Sequence, residues 1–113
     1  MWAGSLGSTL WLVQEELSQM KISGLIWLED IVDKLISKHG VEQQEVREVL
    51  NKQPHIRYIE KGHRTDENVY AALGRTDEGR YLIIYFVYKA DTRALILSAR
   101  EMTAKERKQY AKK

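Results

Sequence analysis

The sequence predicts a single α+β domain in which two helices precede a four-stranded antiparallel meander sheet and one helix follows it. Three observations predict this class. Apolar residues recur at helical spacing before Pro54, the period changes to two between residues 56 and 99, and a helix-capping pattern begins at Thr103. A chain of 113 residues is too short to build two independent cores, so one domain is expected.

The first 24 residues are predicted to be an extension that precedes a domain spanning residues 25–113. Apolar residues in this extension follow helical spacing and predict a short helix, at Leu10, Val13, Leu17 and Met20. No basic region comes before the apolar patch of Leu10, Trp11, Leu12 and Val13, and Glu15 and Glu16 follow it directly, which is not typical of a signal peptide.

The clearest helix of the domain is predicted over residues 28–39. Its apolar positions form one continuous stripe that we expect to pack on the sheet: Leu28, Ile31, Val32, Leu35, Ile36 and His39. Gly40 directly follows and suits the left-handed conformation that ends many helices. A second helix is predicted from residue 42 to about residue 52, and Pro54 prevents it from extending further.

Alternating apolar and polar residues predict strands over residues 56–61, 68–75, 80–89 and 93–99. Residues 80–89 are apolar on both faces, which is expected of a central strand. Gly79 suits the positive φ of the hairpin turn before that strand. After the last strand, Thr103 and Glu106 have the spacing of a capping box, which predicts a helix ending near residue 111.

Composition excludes several classes of site and of protein. The chain has no cysteine, which excludes disulfides, thiolate zinc sites and cysteine nucleophiles. The longest apolar run is far too short to cross a bilayer, so no membrane association is expected and the cytoplasm is the predicted compartment.

Net charge is only +2, but the chain is clearly basic after Arg93. Such an end is either a solvated helix or a surface for RNA phosphates or an acidic partner.

Residues around the predicted sheet carry the types of group that metal-free RNA cleavage needs: Lys38, His39, His63, Arg64, Glu67, Tyr70, Arg75 and Arg100. That reaction requires a base for the 2′-hydroxyl proton, an acid for the leaving 5′-oxygen, and cations for the phosphorane charge. The chain has no glycine-rich phosphate loop, and its three histidines lack metal-ligand spacing, so no metal or cofactor is expected.

Structural explanations remain open for these residues. His39 could be a packed or capping histidine, and Glu67 could belong to a polar loop. Arg75 could pair across the hairpin with Glu78 or Glu101. Tyrosines 81, 85 and 88 share one predicted face of the third strand, where packing is favoured over base stacking.

Several short motifs resemble the BrnT family of bacterial ribonuclease toxins. They occur in order over residues 25–111: Lys38-His39-Gly40-Val41, Gly62-His63-Arg64, Glu67-Asn68-Val69-Tyr70, Leu73-Gly74-Arg75, Arg80-Tyr81-Leu82, Ile96-Leu97-Ser98-Ala99-Arg100, Glu106-Arg107 and Tyr110. The resemblance implies a RelE-like fold, RNA as substrate and a ribbon–helix–helix antitoxin as partner. It also identifies Lys38 and His39, Arg64 and Glu67, and Arg75 and Arg100 as positions that match family motifs.

The chain departs from the family pattern in its first helix. Trp27 is kept, whereas positions that are commonly Asp, Lys and Asn in the family are here Leu28, Ile31 and Leu35. These changes indicate a divergent member whose first helix is buried more deeply or is covered by residues 1–24.

The resulting hypothesis is a metal-independent endoribonuclease toxin of a toxin–antitoxin pair. Arg64, Arg75 and Arg100 would bind phosphate, His39 or Glu67 would act as the base, and His63 or Lys38 would assist protonation. A non-catalytic RNA- or protein-binding module with the same fold is the alternative. A homo-oligomer is compatible with either hypothesis.

Overall fold

In a computed structural model, which describes residues 20–62 and 67–112, a five-stranded mixed sheet is covered by two helices on one face and one helix on the other. The elements in chain order are β1 (Gly24–Ile26), α1 (Glu29–Lys34), α2 (Gln43–Asn51), β2 (His55–Glu60), β3 (Val69–Arg75), β4 (Tyr81–Tyr88), β5 (Arg93–Glu101) and α3 (Ala104–Ala111). The predicted helix in residues 1–19 lies outside the described residues.

The sheet has the strand order β1-β5-β4-β3-β2. The four predicted strands form the expected antiparallel meander, with β4 at the centre. The prediction of a four-stranded antiparallel sheet was nevertheless wrong, because β1 adds a fifth strand that pairs in parallel with β5. This strand has only three residues, too few to show a period of two, and its partner is far away in the sequence.

The first helix is shorter and less buried than the apolar stripe predicted. The α-helical part ends at Lys34, and Leu35–His39 form a wider π-helical turn that stops at Gly40, which has a φ of 61°. A wider turn shifts the later side chains around the helix axis. Leu35 is buried, while Ile36 is 54% exposed and His39 is exposed. Leu28, which precedes the helix as its N-cap, is 49% exposed.

The deeper burial expected from the first-helix departures is thus correct for Leu35 and wrong for Leu28. Ile31 is half-buried and packs against the core.

The second helix and the closing helix follow the prediction closely. Gly79 has a φ of 89° in the turn before β4, as its position in the hairpin requires.

Two apolar clusters lie on opposite faces of the sheet. The larger one fills the space between the sheet and the helices α1 and α2, and includes Leu35, Val46, Leu82, Ile84 and Phe86. The smaller one lies under α3 and contains Ala71, Leu73, Ile83 and Met102. The face that holds this smaller cluster is called the α3 face below. None of the residues of α3 itself is buried, so its attachment depends on polar and aromatic contacts.

Replacing Leu35 with Ala is expected to lower the free energy of unfolding by about 2–5 kcal/mol, because it removes a fully packed side chain from the larger cluster. Ile36→Ala is the matched control, since the neighbouring side chain is mostly exposed and its loss should change the free energy by less than about 0.5 kcal/mol. Urea denaturation of both variants measures the difference. Equal effects would contradict the burial of Leu35 and the exposure of Ile36.

Candidate functional site

Arginines from three strands project from the α3 face of the sheet. Arg57 of β2 lies opposite Ala71, Arg75 of β3 lies opposite Tyr81, and Arg100 of β5 lies opposite Ile83. Because side chains alternate along a strand, these positions share the face that carries the smaller apolar cluster. The structure therefore brings Arg75 and Arg100 to one surface, as the sequence suggested, and adds Arg57, which sequence reasoning missed.

A cleft of about 270 Å³ separates this part of the sheet from α3. Its lining combines cationic, phenolic and carboxylate groups with small apolar side chains: Arg57, Ile59, Ala71, Ile83, Tyr85, Thr103, Lys105, Glu106 and Gln109. The Nε atom of Arg57 is buried and has no hydrogen-bond partner among the described residues. An unpaired buried donor costs free energy, so it is available to a ligand that enters the cleft.

Glu106 holds the guanidinium of Arg100 at the edge of this cleft. The Nη1 and Nη2 atoms of Arg100 donate to the two carboxylate oxygens of Glu106 at 2.8 and 2.9 Å. Nη1 also donates to the Glu101 carbonyl at 3.1 Å, and Nη2 approaches the Tyr85 hydroxyl at 3.4 Å. The same Glu106 carboxylate accepts the Thr103 backbone N–H, which completes the predicted capping box.

The pKa values of both partners reflect this ion pair. Hydrogen bonds from Arg100 hold the pKa of Glu106 at about 2, below its ordinary value of 4.5, against the opposing effect of burial. The hydrogen bonds to Glu106 raise the pKa of Arg100 above its ordinary value. Glu106 is therefore ionised at neutral pH and is a weak base while the pair is intact.

The pair should make stability depend on pH at the acidic end. The pKa of Glu106 is lower in the folded than in the unfolded chain, so the contribution of the pair is complete above about pH 4.5 and is lost as the pH falls through about 2. We expect the difference in unfolding free energy between the wild type and Glu106→Gln to shrink from pH 5 to pH 2 in urea titrations. Glu78→Gln, in an exposed turn, is the control. A difference that does not change with pH would contradict the assignment.

A second cationic group lies at the end of the α3 face near the β3–β4 hairpin. The guanidinium carbons of Arg75 and Arg107 lie 4.9 and 4.2 Å from the centroid of the Tyr81 ring. Tyr110 contacts the same ring edge-on, with centroids 6.0 Å apart. Glu101, one of the two cross-strand partners considered for Arg75, binds Arg80 instead.

Glu67 lines a groove of about 670 Å³ at the other end of the sheet, together with Val69, Val87 and Leu97. Its carboxylate forms an ion pair with Lys89. Asn68 accepts a backbone hydrogen bond from Tyr88, so Glu67 lies about four residues, or roughly 13 Å, beyond Tyr85 along β4. His63 and Arg64 lie outside the described residues, between Gly62 and Glu67, both of which line this groove.

Lys38 and His39 lie in the layer of α1 and α2, away from the α3 face. Both side chains are exposed at the end of the π-helical turn. Arg80 donates to the carbonyls of His39 and Gly40 at 3.2 and 2.9 Å, and binds Glu45 of α2 at 2.8 Å. The structure therefore does not bring these two candidates together with Arg75 and Arg100.

Tyr70 of β3, another candidate from the sequence, belongs to the opposite face. It stacks on Phe86 and packs against the larger core cluster. Tyr88 likewise packs against that cluster, so the three tyrosines of β4 do not share one face. Tyr81 and Tyr85 pack on the α3 side, and a bulge between Tyr85 and Phe86 interrupts the pairing with β5.

No group of three or more His, Asp or Glu side chains that could hold a metal ion occurs in the part of the chain that the structure describes. Over that same part, no helix is both long and apolar enough to cross a membrane.

Comparison with known families gives a match over residues 27–106 to the family described as "Ribonuclease toxin, BrnT, of type II toxin-antitoxin system". The matched region begins at Trp27 and includes all four strands of the meander. The chain belongs to the BrnT family. Membership in a family of type II toxin–antitoxin systems implies an antitoxin partner. Arg57, Arg75 and Arg100 of the α3 face fall within the matched region, and Arg107 directly follows it.

Among solved structures, the crystal structure of the Brucella abortus ribonuclease toxin BrnT is similar to this chain. The TM-score is 0.51 at 16% sequence identity, and the match covers 74% of this chain and 99% of the Brucella chain. At this identity the likeness shows a shared α+β fold. Comparison with curated protein sequences finds no match.

Proposed function

We propose that this BrnT family member is a metal-independent endoribonuclease that binds single-stranded RNA along the α3 face of its sheet. The observation that supports this most directly is the placement of Arg57, Arg75 and Arg100, from three strands, on one face with Tyr81 and Tyr85 between them. Cations that follow a backbone and aromatic rings that stack on bases are the usual elements of single-strand binding.

The cleft between the sheet and α3 is the proposed place of the scissile phosphate. Attack by the 2′-hydroxyl builds negative charge on the phosphorane, and guanidinium groups stabilise it because their planar fork meets two oxygens at once. Arg57 supplies a buried donor that has no partner among the described residues, and Arg100 lies at the cleft edge. A phosphate that binds Arg100 takes the place of the Glu106 carboxylate, so one anion is exchanged for another.

Protonation of the leaving 5′-oxygen is assigned to the Tyr85 hydroxyl, which lines the cleft and lies 3.4 Å from Arg100, and solvent water takes the proton of the attacking 2′-hydroxyl. Glu67 is on the same face but roughly 13 Å further along the strand, a distance of about four stacked nucleotides. Glu67 is still favoured over His39 as an alternative base, because His39 is in the other layer. Roles for His63 and Arg64 stay predictions, as does assistance from Lys38.

The proposed partner is a ribbon–helix–helix antitoxin that acts in the cytoplasm, where RNA is also available. The basic helix α3 and the cleft beneath it form the surface that we expect it to cover, since an acidic partner would compete there with RNA. Co-expression with the neighbouring reading frame, followed by purification, tests this partner. Recovery of the toxin alone would argue against it.

A non-catalytic binding module is the second proposal, and two observations favour it. Arg100 is already neutralised by Glu106, and the first helix carries apolar residues at three motif positions. A module that only binds RNA or protein would tolerate both features.

The purified full chain, incubated with single-stranded RNA and EDTA, distinguishes the two proposals. Cleavage that leaves 2′,3′-cyclic phosphate ends supports the metal-independent ribonuclease. Cleavage that stops when EDTA is added would contradict metal independence, while binding without cleavage, with or without ribosomes, would favour the module.

A further inference from the structure

We propose that Arg75, Tyr81 and Arg107 form a second phosphate-binding site for single-stranded RNA, separate from the cleft and next to it. The inference rests on the proposed RNA-binding function, and it assigns to these three residues a role in the affinity for RNA. Arg107 follows the region matched to the family, so that match gives it no function.

The charge of this group is not balanced within the described structure. Two guanidinium groups lie within 5 Å of one tyrosine ring, at 4.9 and 4.2 Å from its centroid. Three nearby carboxylates are bound to other cations: Asp77 to Lys52, Glu101 to Arg80, and Glu106 to Arg100. Glu78, in the exposed hairpin turn, forms no ion pair with either arginine in the described structure. The two guanidinium groups on one ring repel each other, and a bound anion relieves this repulsion.

The ring positions both guanidinium groups without neutralising them. A cation above an aromatic face is attracted by the ring quadrupole, yet all its N–H donors remain free to bind an anion. Arg75 and Arg107 are both exposed, so a ligand can reach them from solvent. An arginine fork matches phosphate oxygens in geometry as well as charge, which makes phosphate the expected ligand class.

Spacing along the sheet points to a phosphate in a chain that also enters the cleft. Arg75 is the cross-strand partner of Tyr81, and Arg100 is the partner of Ile83, two residues further along β4. Two residues of strand correspond to about 7 Å along β4, and β3 and β5 lie on either side of β4, about 10 Å apart, so the two backbone positions are separated by about 12 Å. Because stacked nucleotides advance by about 3.4 Å, this gap corresponds to three or four stacked nucleotides of one strand.

The site should therefore act on binding and leave the chemical step unchanged. A phosphate that is remote from the bond being broken is held equally in the ground and transition states, and removing such a contact raises KM without lowering kcat. Loss of Arg107 is expected to weaken RNA binding about tenfold, as for one charge-assisted contact.

The test measures affinity for 2′-O-methyl RNA, which cannot be cleaved by its own 2′-oxygen, across a salt series by fluorescence anisotropy. Arg107→Ala should bind about tenfold more weakly, and the slope of log K against log salt should fall by about 0.7, the value for one phosphate on a single strand. Arg107→Lys should retain the slope because it keeps the charge. Arg47→Ala, an exposed arginine of α2 in the other layer, is the matched control and should change neither quantity.

Outcomes separate this site from the proposed enzyme activity. An unchanged slope in Arg107→Ala would overturn the inference even if the protein cleaves RNA. If Arg107→Ala reduces the salt slope of RNA binding but the protein never cleaves RNA, the result would support this phosphate-binding site and contradict the proposed ribonuclease activity. Weakened antitoxin binding with unchanged RNA binding would assign the two arginines to the antitoxin, which also overturns the inference.

Discussion

Replacing Arg100 with Ala is expected to lower kcat for RNA cleavage by about 10²–10³, which is the usual cost of losing one donor aimed at transition-state charge. Arg57→Ala should have an effect of the same size. It removes the buried Nε donor, which has no partner within the described structure and which we expect to bind the phosphate. Single-turnover cleavage of RNA in EDTA measures the chemical step for both variants, without a contribution from product release.

The control variants separate loss of chemistry from loss of structure. Glu106→Gln breaks the same ion pair while keeping Arg100, so a loss confined to Arg100→Ala assigns the effect to the guanidinium and not to the docking of α3. Arg93→Ala removes an exposed arginine from the start of the same strand, where it pairs with Asp91. Full activity in Arg57→Ala and Arg100→Ala would remove the cleft from the proposed site.

Tyr85→Phe is expected to lower kcat by about 10²–10⁴, the range for losing a general acid or base. The substitution removes only the hydroxyl and keeps the ring, so the packing of Tyr85 against the smaller cluster should survive. The same single-turnover assay measures the loss, and a pH series shows whether one titrating group has disappeared from the rate profile.

Tyr88→Phe is the matched control for Tyr85, because it removes a hydroxyl from the same strand that bonds the Lys21 carbonyl at 2.6 Å. Glu67→Gln identifies the alternative base. Should Glu67→Gln lose activity while Tyr85→Phe keeps it, the scissile phosphate would have to lie in the groove beside Lys89 instead of the cleft.

Local patterns were enough to predict most of the elements. The alternation in residues 69–101, the capping box at Thr103 and the glycines at positions 40 and 79 each depend on neighbours within a few residues. β1 escaped prediction because three residues cannot show a period and its parallel partner is almost seventy residues away. The π-helical turn escaped because an apolar stripe does not specify which hydrogen bond closes each turn.

For the candidate site, the sequence by itself determined the residue types: arginines on strands, a basic final helix and no cysteine. Only the tertiary structure decided which of them meet. Arg57 and Arg100 are far apart in sequence, and strand register places them on one face, whereas Lys38 and His39 fall in the opposite layer. The physical reason is that register and layer order are set by burying apolar side chains across the whole sheet, which no local pattern encodes.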